Sequence, residues 1–212
     1  YLLHACKFGN KEIVELIFGK NADLNNLDSE GNSALYWAAC NNDDEAVKIC
    51  TFLIEKKIDV NHCTKDQGTA LIGAAKNSND RTLELLLKSG ADSNMQKENG
   101  VSALYLASSR SVEAVKLLLK HNAEPNIENI NKATPIFETA YTDNIEIVIA
   151  LTKAGADINH GIKTSNGMLY PLDTAVGEHN IDLANYLHSK GAKYNSELTT
   201  LEIIVDTGES NL

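Results

Sequence analysis

Leu83 to Ala107 reads LELLLKSGADSNMQKENGVSALYLA, and both halves of this stretch recur along the chain. Leu83, Leu85, Leu86 and Leu87 carry an apolar helical pattern that stops at Ser89-Gly90, where glycine adopts the left-handed conformation that ends a helix at little cost. A polar connection follows. Ser102, three residues before Tyr105-Leu106, then offers a hydroxyl to unpaired backbone N–H groups and opens a second, short helix that ends in small residues. The unit is helix, hairpin-like loop, helix.

Indexed on one apolar residue per copy, the units begin at Leu2, Leu35, Leu71, Leu104, Ile136 and Leu172, spaced 33, 36, 33, 32 and 36 apart. A period near 33, a TPL-like helix start and a GAD-x-N loop make the chain resemble the ankyrin repeat family. The resemblance implies an all-α ankyrin-repeat solenoid of stacked helix pairs joined by β-hairpin-like loops. It covers nearly the whole chain as one array, with approximate copies at 1–27 (partial), 28–63, 64–96, 97–128, 129–160 and 161–195, and a cap or cut repeat at 196–212. That reading counts five complete or nearly complete helix pairs and a truncated one. In such an array each unit packs only on its neighbours, so 212 residues form one elongated domain instead of two globular ones.

The copies differ in informative places. Leu35 to Asn61 spans 26 residues against 23 from Leu71 to Asn94, which places three extra residues in the second copy, at the Asn41-Asn42-Asp43-Asp44 turn. Leu104 to Asn126 spans 22, so the turn between the helices of the fourth copy is one residue short. Asn21 and Asn122 stand in for the loop glycine, a mild change, whereas Lys57-Ile58 there predicts strain or a rebuilt loop. Thr134-Pro135 reads as a cap followed by a proline whose missing N–H costs little. Thr139 replaces a packed alanine and predicts a hydroxyl bonded one turn back, with a weaker interface. HGIKTSNGMLYPL before the sixth copy is a hairpin enlarged by three residues, in which Met168, Leu169 and Tyr170 either fold down or form a binding finger. The asparagine closing each loop, Asn25, Asn61, Asn94, Asn126, Asn159 and Asn195, is read as satisfying backbone groups of its turn.

A net charge of −10, from 29 acidic and 19 basic residues, argues against binding the nucleic acid backbone and accommodates a protein partner with a basic surface. Cys6, Cys40, Cys50 and Cys63 show no zinc-ligand spacing and read as reduced, structural thiols, which places the chain in the cytoplasm or nucleus. His62-Cys63 is the only adjacent histidine–cysteine pair, and adjacent side chains chelate poorly, so no metal and no cofactor is expected. No GxSxG, HExxH or GxxxxGK[ST] motif occurs, and no apolar run reaches the roughly 20 residues of a membrane span. Catalysis and membrane insertion are not expected.

The resemblance implies protein–protein recognition on the concave face, built from loop tips and the exposed side of the first helices. Carried over by position, the tips supply Glu30, Asn32, Lys65, Asp66, Glu98, Asn99, Val101 and Ile130, and the helices supply Phe8, Asn41, Lys76, Asn77, Arg110, Tyr141 and Thr142. Trp37, the only tryptophan, is either core or contact, and Met168 and Leu169 of the enlarged hairpin join the candidate surface. Aromatic and arginine anchors dominate binding energy, at about 2 kcal/mol or more each, so Phe8, Trp37, Arg110 and Tyr141 rank first. A second reading makes the array the targeting or regulatory part of a larger enzyme, channel or secreted effector acting in a host-cell cytosol. Residue 1 is not methionine, and both ends fall inside a repeat, so flanking sequence is expected.

Overall fold

The computed structural model describes residues 1–142 and 144–195. Among them, twelve α-helices form six helix–turn–helix pairs, one more than the five complete pairs counted from the sequence. The pairs are α1 (Leu2–Lys7) with α2 (Lys11–Phe18), α3 (Ala34–Ala39) with α4 (Asp44–Glu55), and α5 (Ala70–Lys76) with α6 (Asp80–Lys88). Then come α7 (Ala103–Ala107) with α8 (Val112–Lys120), α9 (Pro135–Glu138) with α10 (Ile145–Lys153), and α11 (Pro171–Gly177) with α12 (Ile181–Ser189). The cap or cut repeat anticipated at 196–212 lies outside the described residues.

First helices pack on first helices and second on second, so two helical layers run the length of the stack. The index residues form the seam, since Leu2, Leu35, Leu71, Leu104, Ile136 and Leu172 are all buried. Each such burial contributes about 1.5–3 kcal/mol. Short first helices survive because their ends are satisfied locally. The hydroxyls of Ser33, Thr69 and Ser102 accept from the N–H groups of Tyr36, Ile72 and Tyr105 at 3.2, 3.3 and 3.1 Å. Thr134 departs from this reading of it as a cap. The Phe137 N–H bonds the Thr134 backbone carbonyl at 3.0 Å, and the buried Thr134 hydroxyl has no partner.

The three extra residues of the second copy are not in its turn. The cap follows the index residue by eight positions there (Leu35 to Asp43), as in the third copy (Leu71 to Asn79). The addition lies within α4, which has 12 residues where α6 and α8 have 9. A helix absorbs an added near-turn by propagating its own hydrogen bonds, which a capped turn of fixed geometry cannot do. The short turn of the fourth copy is as expected, with Ser111 capping α8 seven positions after Leu104.

Each pair ends on a left-handed residue: Asn21, Lys57 and Asn122 at φ 61°, 61° and 63°, and Gly90, Gly155 and Gly191 at 90°, 96° and 77°. Lys57 therefore occupies the conformation its sequence position made costly, and Ile58 beside it is buried. Thr139 is buried and its hydroxyl donates to the Ile136 carbonyl at 2.6 Å, while α9 gives way to a 3-10 helix over Thr139–Tyr141. The enlarged loop before the sixth pair forms an antiparallel hairpin, β1 (Ile162–Thr164) with β2 (Gly167–Leu169). No helix among the described residues is long and apolar enough to cross a membrane.

Candidate functional site: the face of tips and first helices

The loop tips are strung together by backbone bonds between copies. Lys65 N–H donates to the Glu30 carbonyl at 2.9 Å, Glu98 to Asp66 at 2.9 Å, and Ile130 to Asn99 at 3.0 Å. Close contact between tips demands a glycine at Gly100, where a Cβ would stand 2.7 Å from Asn129 Cα. Within the first tip, burial pushes the Asp28 carboxyl up, but bonds from Asn32, the Trp37 indole and the Glu30 N–H outweigh it and leave the group below its usual range.

Five of the sequence-predicted residues converge. Glu30, Asn32, Lys65, Asp66 and Glu98, with Tyr36, surround an open hollow of about 490 Å³ over the first helices. Asp66 is tied down on both sides, accepting from Thr64 Oγ1 at 2.5 Å and pairing with Lys97 Nζ at 2.6 Å, so its carboxyl is held below the usual range first by Lys97 and then by Thr64. Glu30 and Glu98 are exposed and make no ion pair among the described residues. Tyr36 forms a wall of the hollow, and its hydroxyl is pushed up to about 12, chiefly by burial and then by Cys40 and Asp66.

A second cluster joins Arg110 and Tyr141 to two residues not singled out from sequence, Tyr105 and Glu138. Burial raises the Glu138 carboxyl, against the pull of Arg110 and of a hydrogen-bonding interaction with Tyr105. Tyr105 is raised to about 12 by burial, then by Glu138 and Tyr141. Tyr36 and Tyr105 both follow an index leucine, and that recurrence is the signal the sequence carried for them.

The remaining candidates divide by whether their polar atoms are already engaged. Asn32 is buried against Asp28, Asn41 donates to the Cys6 carbonyl at 2.9 Å, and Asn77 donates to the Gly73 carbonyl at 2.9 Å. The Thr142 hydroxyl donates to the Thr139 carbonyl at 3.0 Å, and Asn99 accepts from its own tip at Val101 N–H, 3.2 Å. Trp37 is half-buried, donates to Asp28 at 2.9 Å and lies under Lys7 Nζ, 4.1 Å from the ring centroid. Phe8, Lys76, Ile130, Tyr141 and Met168 are exposed, as is Arg110, whose guanidinium donates to the Leu106 carbonyl at 2.8 Å; Val101 is half-buried, and Leu169 packs on the core. The hairpin residues thus separate, Leu169 folding down and Met168 facing out.

Asn61, Asn94 and Asn126 bond the following copy instead of their own turn, whereas Asn195 donates to the Met168 carbonyl of its own copy's hairpin at 2.9 Å. Asn61 donates to the Gly90 carbonyl at 3.1 Å and accepts from the Asp92 N–H at 2.8 Å. Asn94 repeats this with Asn122 and Glu124 at 3.0 and 2.7 Å, and Asn126 with Gly155 and Asp157 at 2.9 and 2.8 Å. Asn25, which faces the lengthened second pair, makes no such bonds among the described residues.

No curated protein matches the chain. A family model described as Ankyrin repeats (3 copies) matches residues 1–62, 48–129, 71–163 and 107–197 in overlapping segments. Repeats of this type generally serve as protein–protein interaction modules and are typically non-catalytic. With the period, the stacked helix pairs and the bonded loop tips, this match establishes that the chain belongs to the ankyrin repeat family.

Proposed function

We propose that the chain recognises a partner protein through the face formed by its loop tips and first helices. The carrying observation is the hollow beside Tyr36, where Glu30 and Glu98, with Lys65 beside them, make no ion pair among the described residues while Asn32 and Asp66 are held by their neighbours. A basic side chain of the partner fits there, between carboxylates and over an aromatic wall. Ile130, Arg110 and Tyr141 extend the surface along the stack as exposed anchors whose removal leaves the core untouched. Four free thiols, two of them buried, suit a reducing compartment such as the cytoplasm.

The test is affinity capture from lysate with the parent chain beside a variant carrying Glu30→Ala, Glu98→Ala, Arg110→Ala, Ile130→Ala and Tyr141→Ala, with melting curves on both. A protein held by the parent should bind the variant at least ~30-fold more weakly, since one lost hot spot is worth about 2 kcal/mol. Equal capture by an equally stable variant rules out this face.

A further inference from the structure

The ladder of backbone bonds between loop tips lacks a rung where both tips are present. Its three donors, Lys65, Glu98 and Ile130, stand four residues after Asn61, Asn94 and Asn126, and their acceptors Glu30, Asp66 and Asn99 stand five after Asn25, Asn61 and Asn94. The same spacing assigns the Lys163 N–H, four after Asn159, to the Asn131 carbonyl, five after Asn126. That bond is not made, and no backbone bond joins the fifth tip to the sixth among the described residues. The two loops still meet at their base, where His160 Nε2 lies 2.9 Å from the Lys132 carbonyl.

The hairpin of the sixth loop shows where the unused groups point. Ile162, Lys163 and Thr164 face Leu169, Met168 and Gly167 across the two-residue turn Ser165-Asn166. With so short a turn the closing pair Thr164–Gly167 exchanges bonds, as does Ile162–Leu169, and the alternation turns the N–H and C=O groups of Lys163 and Met168 outward on opposite edges. On the β2 edge the Met168 carbonyl accepts from the Asn195 amide at 2.9 Å. On the β1 edge, the side of the missing rung, the Lys163 N–H and C=O have no partner among the described residues. Ile162 and Leu169 pack on the core and hold the hairpin in place, while the exposed Lys163 makes no ion pair among the described residues.

We propose that the outer edge of β1 receives an extended segment of a partner protein, which adds an antiparallel strand to the hairpin. One residue of the segment exchanges both backbone bonds with Lys163 and carries a carboxylate that pairs with the Lys163 ammonium. The occupant is a strand because an edge that offers an unpaired N–H and C=O templates extended backbone, and because the ladder it continues is itself made of backbone bonds between tips. The carboxylate follows from the lysine, whose charge has no counter-ion on this chain. The inference rests on the reading of the tips as a partner-binding face and adds to it a place and a backbone mode of binding, separate from the hollow at Tyr36.

The probes are peptides enriched by panning a random phage-displayed library on the full chain. Hydrogen exchange of the Lys163 amide is measured with and without each enriched peptide, and strand addition slows it by about tenfold or more. Lys163→Pro removes the outward N–H but none of the hairpin's own bonds, so it weakens the peptide by about tenfold or more. Lys163→Ala keeps the N–H and loses only an exposed ion pair, a weakening of about threefold or less. Faster exchange at Leu169 in the proline variant would reveal a disturbed hairpin, and the Lys163 amide of the parent chain then decides alone. Enriched peptides that leave Lys163 exchange unchanged overturn the proposal. If those peptides are instead lost by Glu30→Ala with Glu98→Ala, the partner-binding reading of the tips stands while the strand is ruled out. A library that yields no enriched peptide also overturns the strand.

Discussion

Lys57 holds a left-handed backbone, φ 61°, at the position where three other copies use glycine. A Cβ there approaches the following carbonyl and costs about 1–2 kcal/mol, an expense asparagine partly avoids at Asn21 and Asn122. Lys57→Gly should therefore raise stability by about 1 kcal/mol, less the unfolded-state entropy that glycine adds. The check is a urea midpoint that rises without a change in slope; no rise would mean that the lengthened α4 has relaxed the strain elsewhere. The same residue-level logic was legible in advance, because φ preference belongs to the residue type. The unsatisfied Thr134 hydroxyl was not, since it follows from a backbone bond that pre-empts the cap.

At the scale of elements, the loops act as staples between successive pairs. Asn94 spans two copies with bonds of 3.0 and 2.7 Å, and Asn94→Ala removes both, so a loss of about 1–2 kcal/mol is expected even with water partly replacing them. Asn25→Ala serves as the comparison and should change the melting temperature little, because Asn25 makes no such pair. Equal effects at the two sites would show that the asparagines act within their own turns. The broken staple at Asn25 and the longer α4 belong together, as the second loop is displaced by three residues of helix. The enlarged sixth loop follows a similar pattern, having gained residues as a β-hairpin that leaves the helix pairs intact.

For the molecule as a whole, stability accumulates pair by pair, so opening should start where a pair has one neighbour and no staple. Among the described residues the first pair meets both conditions. Cys6 and Cys50 report on it and on the second pair, and both are fully buried. Burial pushes the Cys6 thiol up to about 12 and Cys50 higher still, so little reactive thiolate exists in the closed state. Alkylation in rising urea should label Cys6 before Cys50, with both rates increasing as pH rises because the thiolate fraction grows. Labelling of both thiols together at the main transition would indicate a single cooperative unit instead of an end that frays.

The period, the buried index residues, the helix–loop–helix unit and the left-handed positions followed from sequence, because helical periodicity, capping and φ preference act over a few residues. Glu30, Asn32 and Asp66 were legible as tip residues once the family resemblance was carried over by position. The lining of the hollow by Tyr36, the joining of Arg110 and Tyr141 with Tyr105 and Glu138, and the reach of Asn61, Asn94 and Asn126 into the next copy appeared only in the tertiary structure. Residues roughly one repeat apart meet there by stacking, and a single sequence carries no direct record of which atoms then touch. Spacing likewise showed that the second copy had three residues too many. Only the fold assigned them to α4, because a helix can extend itself where a capped turn cannot.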